Sequence, residues 1–208
     1  MMNKVEQIFE YLNELFPNPK CELNYEDNFQ LLVAVILSAQ CTDKRVNAVT
    51  PLLFEKYPTA KHLASAKQED VEAIIRPLGF FRTKSKAIIA CAKQLCEEYA
   101  GEVPNDVEKL QKLAGVGRKT ANVVTAEAFN ANNIGVDTHI FRVAHRLTLS
   151  SGTTPNKVED DLRRVFAGRN LAYDHFLLVL FGRYNCKALK PLCDECKLKD
   201  ICDYYKNR

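Results

Sequence analysis

A chain of 208 residues, 47% hydrophobic and 26% charged, has the composition of a soluble globular protein able to bury a core, as one domain or two small ones. Its longest apolar run, residues 31–37, is far too short to span a bilayer, and Glu6, Glu10 and Glu14 interrupt the N-terminal apolar positions, which excludes a signal peptide. A cytosolic protein is therefore expected, in which eight cysteines serve as thiols or metal ligands rather than disulfides, and a net charge of +3 is too mild to mark a uniformly basic protein.

Val5, Ile8, Phe9, Leu12 and Leu15-Phe16 predict a first amphipathic helix over residues 1–16, stopped by Pro17-Asn18-Pro19. After a turn-rich piece at 21–27, the apolar run 29–37 continues without a turn into Ser38-Ala39-Gln40. It reads as a fully buried helix despite its β-branched residues, with Gln40 and Asp43 at its polar exit. Helices are expected over 43–57, 69–77 and 84–99. Pro58-Thr59, Gly79-Phe80-Phe81-Arg82 and Gly101-Glu102-Val103-Pro104 lie at the connections. No run of strands with period-two alternation occurs anywhere, so the fold class is all-α.

The middle of the chain carries Leu113-Ala114-Gly115-Val116-Gly117-Arg118-Lys119-Thr120-Ala121. Asn105-Asp106 can cap a first helix that aligns Val107, Leu110 and Leu113, and a three-residue link forces the next helix to lean antiparallel. Gly115 and Gly117 can take positive φ cheaply and carry no side chain to keep a ligand's backbone away. The second helix opens with free N–H groups and a partial positive charge, both suited to a phosphate. An ordinary helix hairpin would share that pattern, except for Arg118-Lys119. A cation at a helix N-terminus opposes the macrodipole, so something other than stability wants positive charge there. Lys119 is then a phosphate contact or, as the neutral amine, a nucleophile.

Beyond a loop at 130–135, Asp137 is placed to cap a helix whose buried stripe is Ile140, Val143, Ala144 and Leu147. It follows Lys119 by 18 residues, with one helix and a turn between, a span that can return the carboxylate alongside the amine. Residues 155–166 and 172–181 are the last full helices expected.

Cys186, Cys193, Cys196 and Cys202 form a Cys-x6-Cys-x2-Cys-x5-Cys pattern within seventeen residues. The tail lacks the apolar periodicity to hold itself together, and four thiolates on one ion or cluster would do so. Spacing does not choose between zinc and iron–sulfur, although structural zinc usually brings two close pairs and only Cys193/Cys196 is close, which leans towards a Cys₄ iron–sulfur site. Cys21, Cys41, Cys91 and Cys96 are scattered and read as core thiols. Residues 111–149 carry five Lys/Arg against two acids, and 183–208 seven against four, so basic charge gathers at the hairpin with its following helix and at the C-terminus. That distribution suits two patches on a surface facing a polyanion.

The hairpin motif extended to Asn122, the segment Val136-Asp137-Thr138-His139-Ile140-Phe141-Arg142 and the four-cysteine tail together resemble the endonuclease III family, bifunctional DNA glycosylases of the helix-hairpin-helix superfamily. The resemblance runs essentially the whole length and includes Leu37-Ser38-Ala39-Gln40 followed by Thr42-Asp43. It implies two helical domains with a DNA-binding cleft between them. One is a six-helix, barrel-like domain at 21–131 containing the hairpin at about 107–126. The other is discontinuous, at 1–20 and 132–208, with a cluster loop at 186–202.

The same resemblance implies one 4Fe–4S cluster on Cys186, Cys193, Cys196 and Cys202. Its partner would be double-stranded DNA holding a damaged pyrimidine or an abasic site, bound by a monomer in a prokaryotic cytoplasm, with no membrane involved. Backbone groups at Gly115, Val116, Gly117, Arg118 and Thr120 would hold phosphates. Gln40 would fill the space left by a flipped nucleotide and Phe80 would wedge the other side. Lys119 would attack the sugar to give a Schiff base, Asp137 would be the acid/base carboxylate, and β-elimination would break the strand 3′ to the lesion.

Two departures stand out. The family usually has proline where Ala114 stands, and an aliphatic wedge where this chain has Phe80-Phe81. The competing readings are a monofunctional glycosylase of the same superfamily, a non-catalytic hairpin module that only clamps phosphates, and a ferredoxin-like electron carrier. The first typically lacks the lysine and adds a C-terminal domain for which this chain has no length. The second leaves lysine and aspartate together unexplained, and no flavin or nicotinamide motif supports the third.

Overall fold

A computed structural model describes residues 3–207, and their backbone separates into two compact units: Glu22–Asn130, and the residues up to Cys21 together with those from Ala131 onward. Among the described residues there are helices and turns and no strand, so the chain is all-α as its periodicity predicts.

The continuous unit holds seven helices. The first, α2 (Asn28–Leu37), is capped by Asp27, whose carboxylate accepts the Gln30 N–H at 2.8 Å. Every residue from Phe29 to Leu37 is buried, which explains why β-branched residues sit in a helix here: packing on all sides outweighs their weak propensity. Then come α3 (Asp43–Lys56), capped by Thr42, and α4 (Ala60–Ala64), capped by Thr59. The latter is a single turn too short to show a period in the sequence. After α5 (Gln68–Ile75) runs α6 (Phe81–Tyr99), which starts three residues earlier than predicted and is the longest element. Both α4 and α5 pack on α6, α2 packs on α8 (Arg118–Phe129), and α7 (Val107–Gln111) packs on α8 as well.

In the other unit, α1 (Lys4–Leu15) begins with a capping box in which the Asn3 side chain accepts the Glu6 N–H at 2.9 Å and Glu6 accepts the Asn3 N–H at 2.9 Å. The start of the predicted first helix, Met1 and Met2, lies outside the described residues. This unit continues with α9 (Thr138–Arg146), α10 (Pro155–Val165) and α11 (Leu171–Leu180), which ends in a π-helical turn at Phe181–Asn185. A 3₁₀ turn at Lys199–Ile201 and the short α12 (Asp203–Lys206) close it. Its core gathers Ile8, Phe9 and Leu12 with Ile140, Val143, Leu162, Phe166, Leu177 and Leu178. Phe9 meets Phe166 edge to face at 4.9 Å. Beside them Asp174, 1% exposed, takes a bidentate pair of bonds from Arg169 at 2.6 and 2.8 Å, so a buried carboxylate is not left uncompensated.

Candidate functional site

The hairpin begins at α7, where the Asp106 side chain accepts the Lys109 N–H at 2.9 Å. The helix ends at Gln111, so buried Leu113 lies in the turn rather than on a helix. Gly115 takes φ +78, and a Cβ there would stand 3.1 Å from both Ala87 Cβ and Ile36 Cγ2. Conformation and space both require glycine at that position. Gly117 differs from expectation: its φ is −93, ordinary for any residue, and a Cβ would meet nothing within 4 Å. What its missing side chain leaves open is the space in front of the α8 N-terminus.

Being glycine, Gly117 brings no side chain to cap α8, and intrahelical bonding starts when the Ala121 N–H donates to the Gly117 carbonyl at 2.9 Å. The amides of the first turn therefore precede the helical ladder and face outward as donors. Lys119 is exposed in that turn, and Arg118 and Thr120 beside it are half-buried. The first turn of α8 itself contains no acidic residue.

Gln40 and Phe80 both adopt left-handed backbone, φ 53 and φ 58, a conformation that costs a non-glycine residue about 1–2 kcal/mol. Gln40 is exposed at the end of the turn after α2. The Phe80 ring is 67% exposed, one residue ahead of α6, and its carbonyl accepts the Lys84 N–H at 2.9 Å. Gly115 brings these segments together, because the two side chains against it belong to the last turn of α2 and the early part of α6. The hairpin turn thus packs against α2 and α6, the helices that the Gln40 turn follows and the Phe80 corner precedes.

Asp137, in the other unit, caps α9. Its Oδ1 accepts both the His139 N–H at 2.9 Å and the Ile140 N–H at 2.8 Å, which leaves Oδ2 outside the cap. The far end of α9 holds the cysteine loop. Arg142 donates to the carbonyls of Gly182 at 2.6 Å and Cys186 at 3.0 Å. Arg146 donates to the Lys187 carbonyl at 2.7 Å, to the Ala188 carbonyl at 3.2 Å and to Cys186 Sγ at 3.4 Å, with its guanidinium 4.1 Å from the Tyr204 ring centre.

Cys186, Cys193, Cys196 and Cys202 line one apolar cavity together with Leu147, Phe181 and Tyr204. Burial pushes the thiols of Cys186 and Cys196 up, the Arg146 contact opposing it at Cys186. Four thiols lining one apolar cavity are a donor set that fits a metal centre held by thiolates. The remaining cysteines differ from expectation, since only Cys91 is buried, its thiol pushed up to about 12 by that burial, while Cys21, Cys41 and Cys96 are half-buried.

Three side chains with evident parts in this geometry carry no mark in the sequence. They are Gln94, which bonds the hairpin turn from α6; Arg146, which holds the cysteine loop; and Lys84, 6% exposed with its Nζ unpartnered. Long-range side-chain-to-backbone bonds have no local pattern, and a lysine reads as surface by default.

The model of the HhH-GPD superfamily of base excision DNA repair proteins matches residues 33–167. Endonuclease III of Rickettsia conorii is 48% identical over 203 residues, covering 98% of this chain and 97% of the relative. Endonuclease III of Escherichia coli is 42% identical over 205 residues, covering 98% and 97%. A trapped endonuclease III–DNA covalent intermediate, in an estranged-adenine complex, superposes with a TM-score of 0.94 at 41% identity, covering 99% of this chain and 98% of that one.

Proposed function

The chain belongs to the HhH-GPD superfamily of base excision DNA repair proteins, in its endonuclease III family, and from that footing we propose how its residues divide the chemistry. It is a DNA glycosylase with AP lyase activity, acting in base excision repair on duplex DNA. The substrate is an oxidised or otherwise damaged pyrimidine, which leaves the base stack so that its glycosidic bond can be reached. Outward amides of Gly117 to Thr120 hold the phosphates of the damaged strand, with Arg118 adding charge, while the Val116 N–H stays with the Leu113 carbonyl at 3.1 Å and shapes the turn. Gln40 enters the vacated space and Phe80 wedges beside it, both from backbone strained before DNA arrives.

Lys119 attacks C1′ as the neutral amine. A C–N bond forms, the glycosidic bond breaks with its electron pair, and the base departs after protonation. Sugar ring opening gives the Schiff base, which acidifies the C2′ proton. Removal of that proton expels the 3′ phosphate oxygen and breaks the strand. Asp137 takes part through Oδ2, preparing the amine and balancing positive charge on the sugar, while Oδ1 stays with the α9 cap. Cys186, Cys193, Cys196 and Cys202 hold a 4Fe–4S cluster, whose contribution is to fold the loop between them. The protein works as a monomer; among its described residues no helix is long and apolar enough to cross a membrane.

The observation that carries this reading is Lys119 itself, an exposed cation in the first turn of a helix whose cap is a glycine with open space before it. A lysine there opposes the macrodipole and has no folding role to explain it. The covalent DNA complex of the similar endonuclease III supports a covalent route. Borohydride reduction during turnover should trap the wild type on DNA with an abasic site and fail with Lys119→Ala. Equal trapping of the variant would remove Lys119 as nucleophile.

A further inference from the structure

The hairpin turn is held from one side by a single helix. Gly115 rests against Ala87 of α6, with 3.1 Å between the Ala87 Cβ and the position a Cβ would take. Seven residues on, two turns further along the same face of α6, Gln94 reaches the turn with both ends of its amide. Its Oε1 accepts the Ala114 N–H at 2.7 Å, and its Nε2 donates to the Lys112 carbonyl at 3.3 Å. These backbone groups flank Leu113, which is 2% exposed, so the turn is anchored by that buried side chain, by Gly115 against Ala87 and Ile36, and by the Gln94 amide.

We propose that Gln94 is a positioning residue for DNA binding: it fixes the turn at 112–114 so that the amides from Gly117 onward stand ready for phosphates. The inference rests on the hairpin being the phosphate-binding element. It turns on Ala114 having an N–H to give. A proline at that position would restrict φ by its ring and would have no donor for Gln94. In this chain the side-chain amide supplies from outside the restraint that a proline ring would supply from within. The Gln94 amide is also matched to its task by symmetry of function. One end must accept and the other donate, and glutamine alone among side chains of that length does both. Loss of the clamp leaves the fold of α6 and α8 in place but lets the turn sample other conformations, a cost that is met when DNA binds.

Two variants and their combination test this. Gln94→Leu keeps the volume and removes both bonds. DNA affinity should fall about five- to thirtyfold, up to the loss expected for two neutral hydrogen bonds of about 1 kcal/mol each, with KM rising by a similar factor and kcat changing much less. Gln94→Glu keeps the acceptor for Ala114 and loses the donor to Lys112, so it should fall between wild type and Gln94→Leu at high salt, where the added charge is screened. Ala114→Pro removes the donor, and in that background Gln94→Leu should cost less than twofold because the clamp is already cut. Affinity losses that multiply across the double variant, or a Gln94→Leu protein with wild-type affinity, would overturn the proposal. A fall in affinity tracking only a lower Tm would overturn it too. Wild-type binding and nicking of abasic DNA are read in the same series. If the wild type neither binds nor nicks, the hairpin reading fails; if it does both and Gln94→Leu matches it, only the role of Gln94 fails.

Discussion

Asp137 binds Ile140 with one oxygen and keeps the other out of the bond: Oδ1 accepts the Ile140 N–H at 2.8 Å and the His139 N–H at 2.9 Å. Capping and proton transfer are therefore separable on this side chain. Asparagine caps as well as aspartate, so Asp137→Asn should shift stability by only a few tenths of a kcal/mol while single-turnover excision slows about 10²- to 10⁴-fold. Asp137→Ala should lose both, with about 1 kcal/mol of stability gone. Thermal melts beside single-turnover rates decide it, and an asparagine variant with near wild-type rates would reduce Asp137 to a cap.

The two glycines of the hairpin should separate in the opposite sense. Gly115 at φ +78 is confined by Ala87 and Ile36, so Gly115→Ala is strained twice and should cost about 1–3 kcal/mol in folding. Gly117 has ordinary φ and open space around it, so Gly117→Ala should leave Tm within a degree or two. If that space belongs to a DNA phosphate, the same methyl group should weaken DNA binding at least tenfold. Melting curves and titrations of abasic DNA read both effects, and Gly117→Ala binding DNA normally would leave the open space without a tenant.

The cysteine loop and the Asp137 helix share a fate, because Arg142 and Arg146 reach from α9 to the carbonyls of Gly182, Cys186, Lys187 and Ala188. Removing iron with a chelator after oxidation, or making Cys202→Ala, should lower Tm by several degrees and expose residues 186–202 to protease before any other segment. Arg146→Met keeps the thiols but removes the charge-assisted bonds to Cys186 and to the Lys187 and Ala188 carbonyls, the better of them worth about 1.5–3 kcal/mol each, and should speed loss of visible cluster absorbance. A loop equally resistant to protease with and without iron would contradict a structural role for the cluster.

Helix boundaries were legible where the physics is local. The Asp106 and Asp137 caps, the apolar stripe after Asp137 and the uniformly apolar α2 all read directly from residue types and spacing, whereas the caps at Asp27 and Thr42 emerged only in the structure. The single turn α4 did not, since five residues hold too little period to register. Nor did the start of α6, where Phe80 takes left-handed backbone that glycine or asparagine would have advertised. The hairpin motif marked Gly115 and Gly117 alike, yet one is needed by the fold and the other faces open space, a distinction visible only with Ile36 and Ala87 in view. Gln94 and Lys84 were illegible for the same reason: what they touch is distant in sequence.

Lys84 yields the sharpest test of that blind spot. The residue is 6% exposed in the first turn of α6, its Nζ has no hydrogen-bond partner, and burial holds its pKa below the ordinary 10.5, the nearby Cys41 thiol opposing that shift. With a folded pKa below the unfolded one, the unfolded chain binds more protons between the two values. Stability must then rise with pH as it climbs through the folded pKa towards 10.5, and the buried charge weighs against folding at all lower pH. Lys84→Met keeps most of the side-chain length and removes the charge. At neutral pH it should raise Tm by about 2–4 °C, the shift that about 1 kcal/mol produces in a protein of this size, and it should flatten the rise in stability as pH climbs towards 10.5. Differential scanning calorimetry across that range measures both quantities. A lower Tm for Lys84→Met would mean that the ammonium is satisfied in solution and that its burial helps the fold. A higher Tm joined to weaker excision would instead identify Lys84 as a charge kept in the fold, one residue turn from Phe80, for the sake of bound DNA.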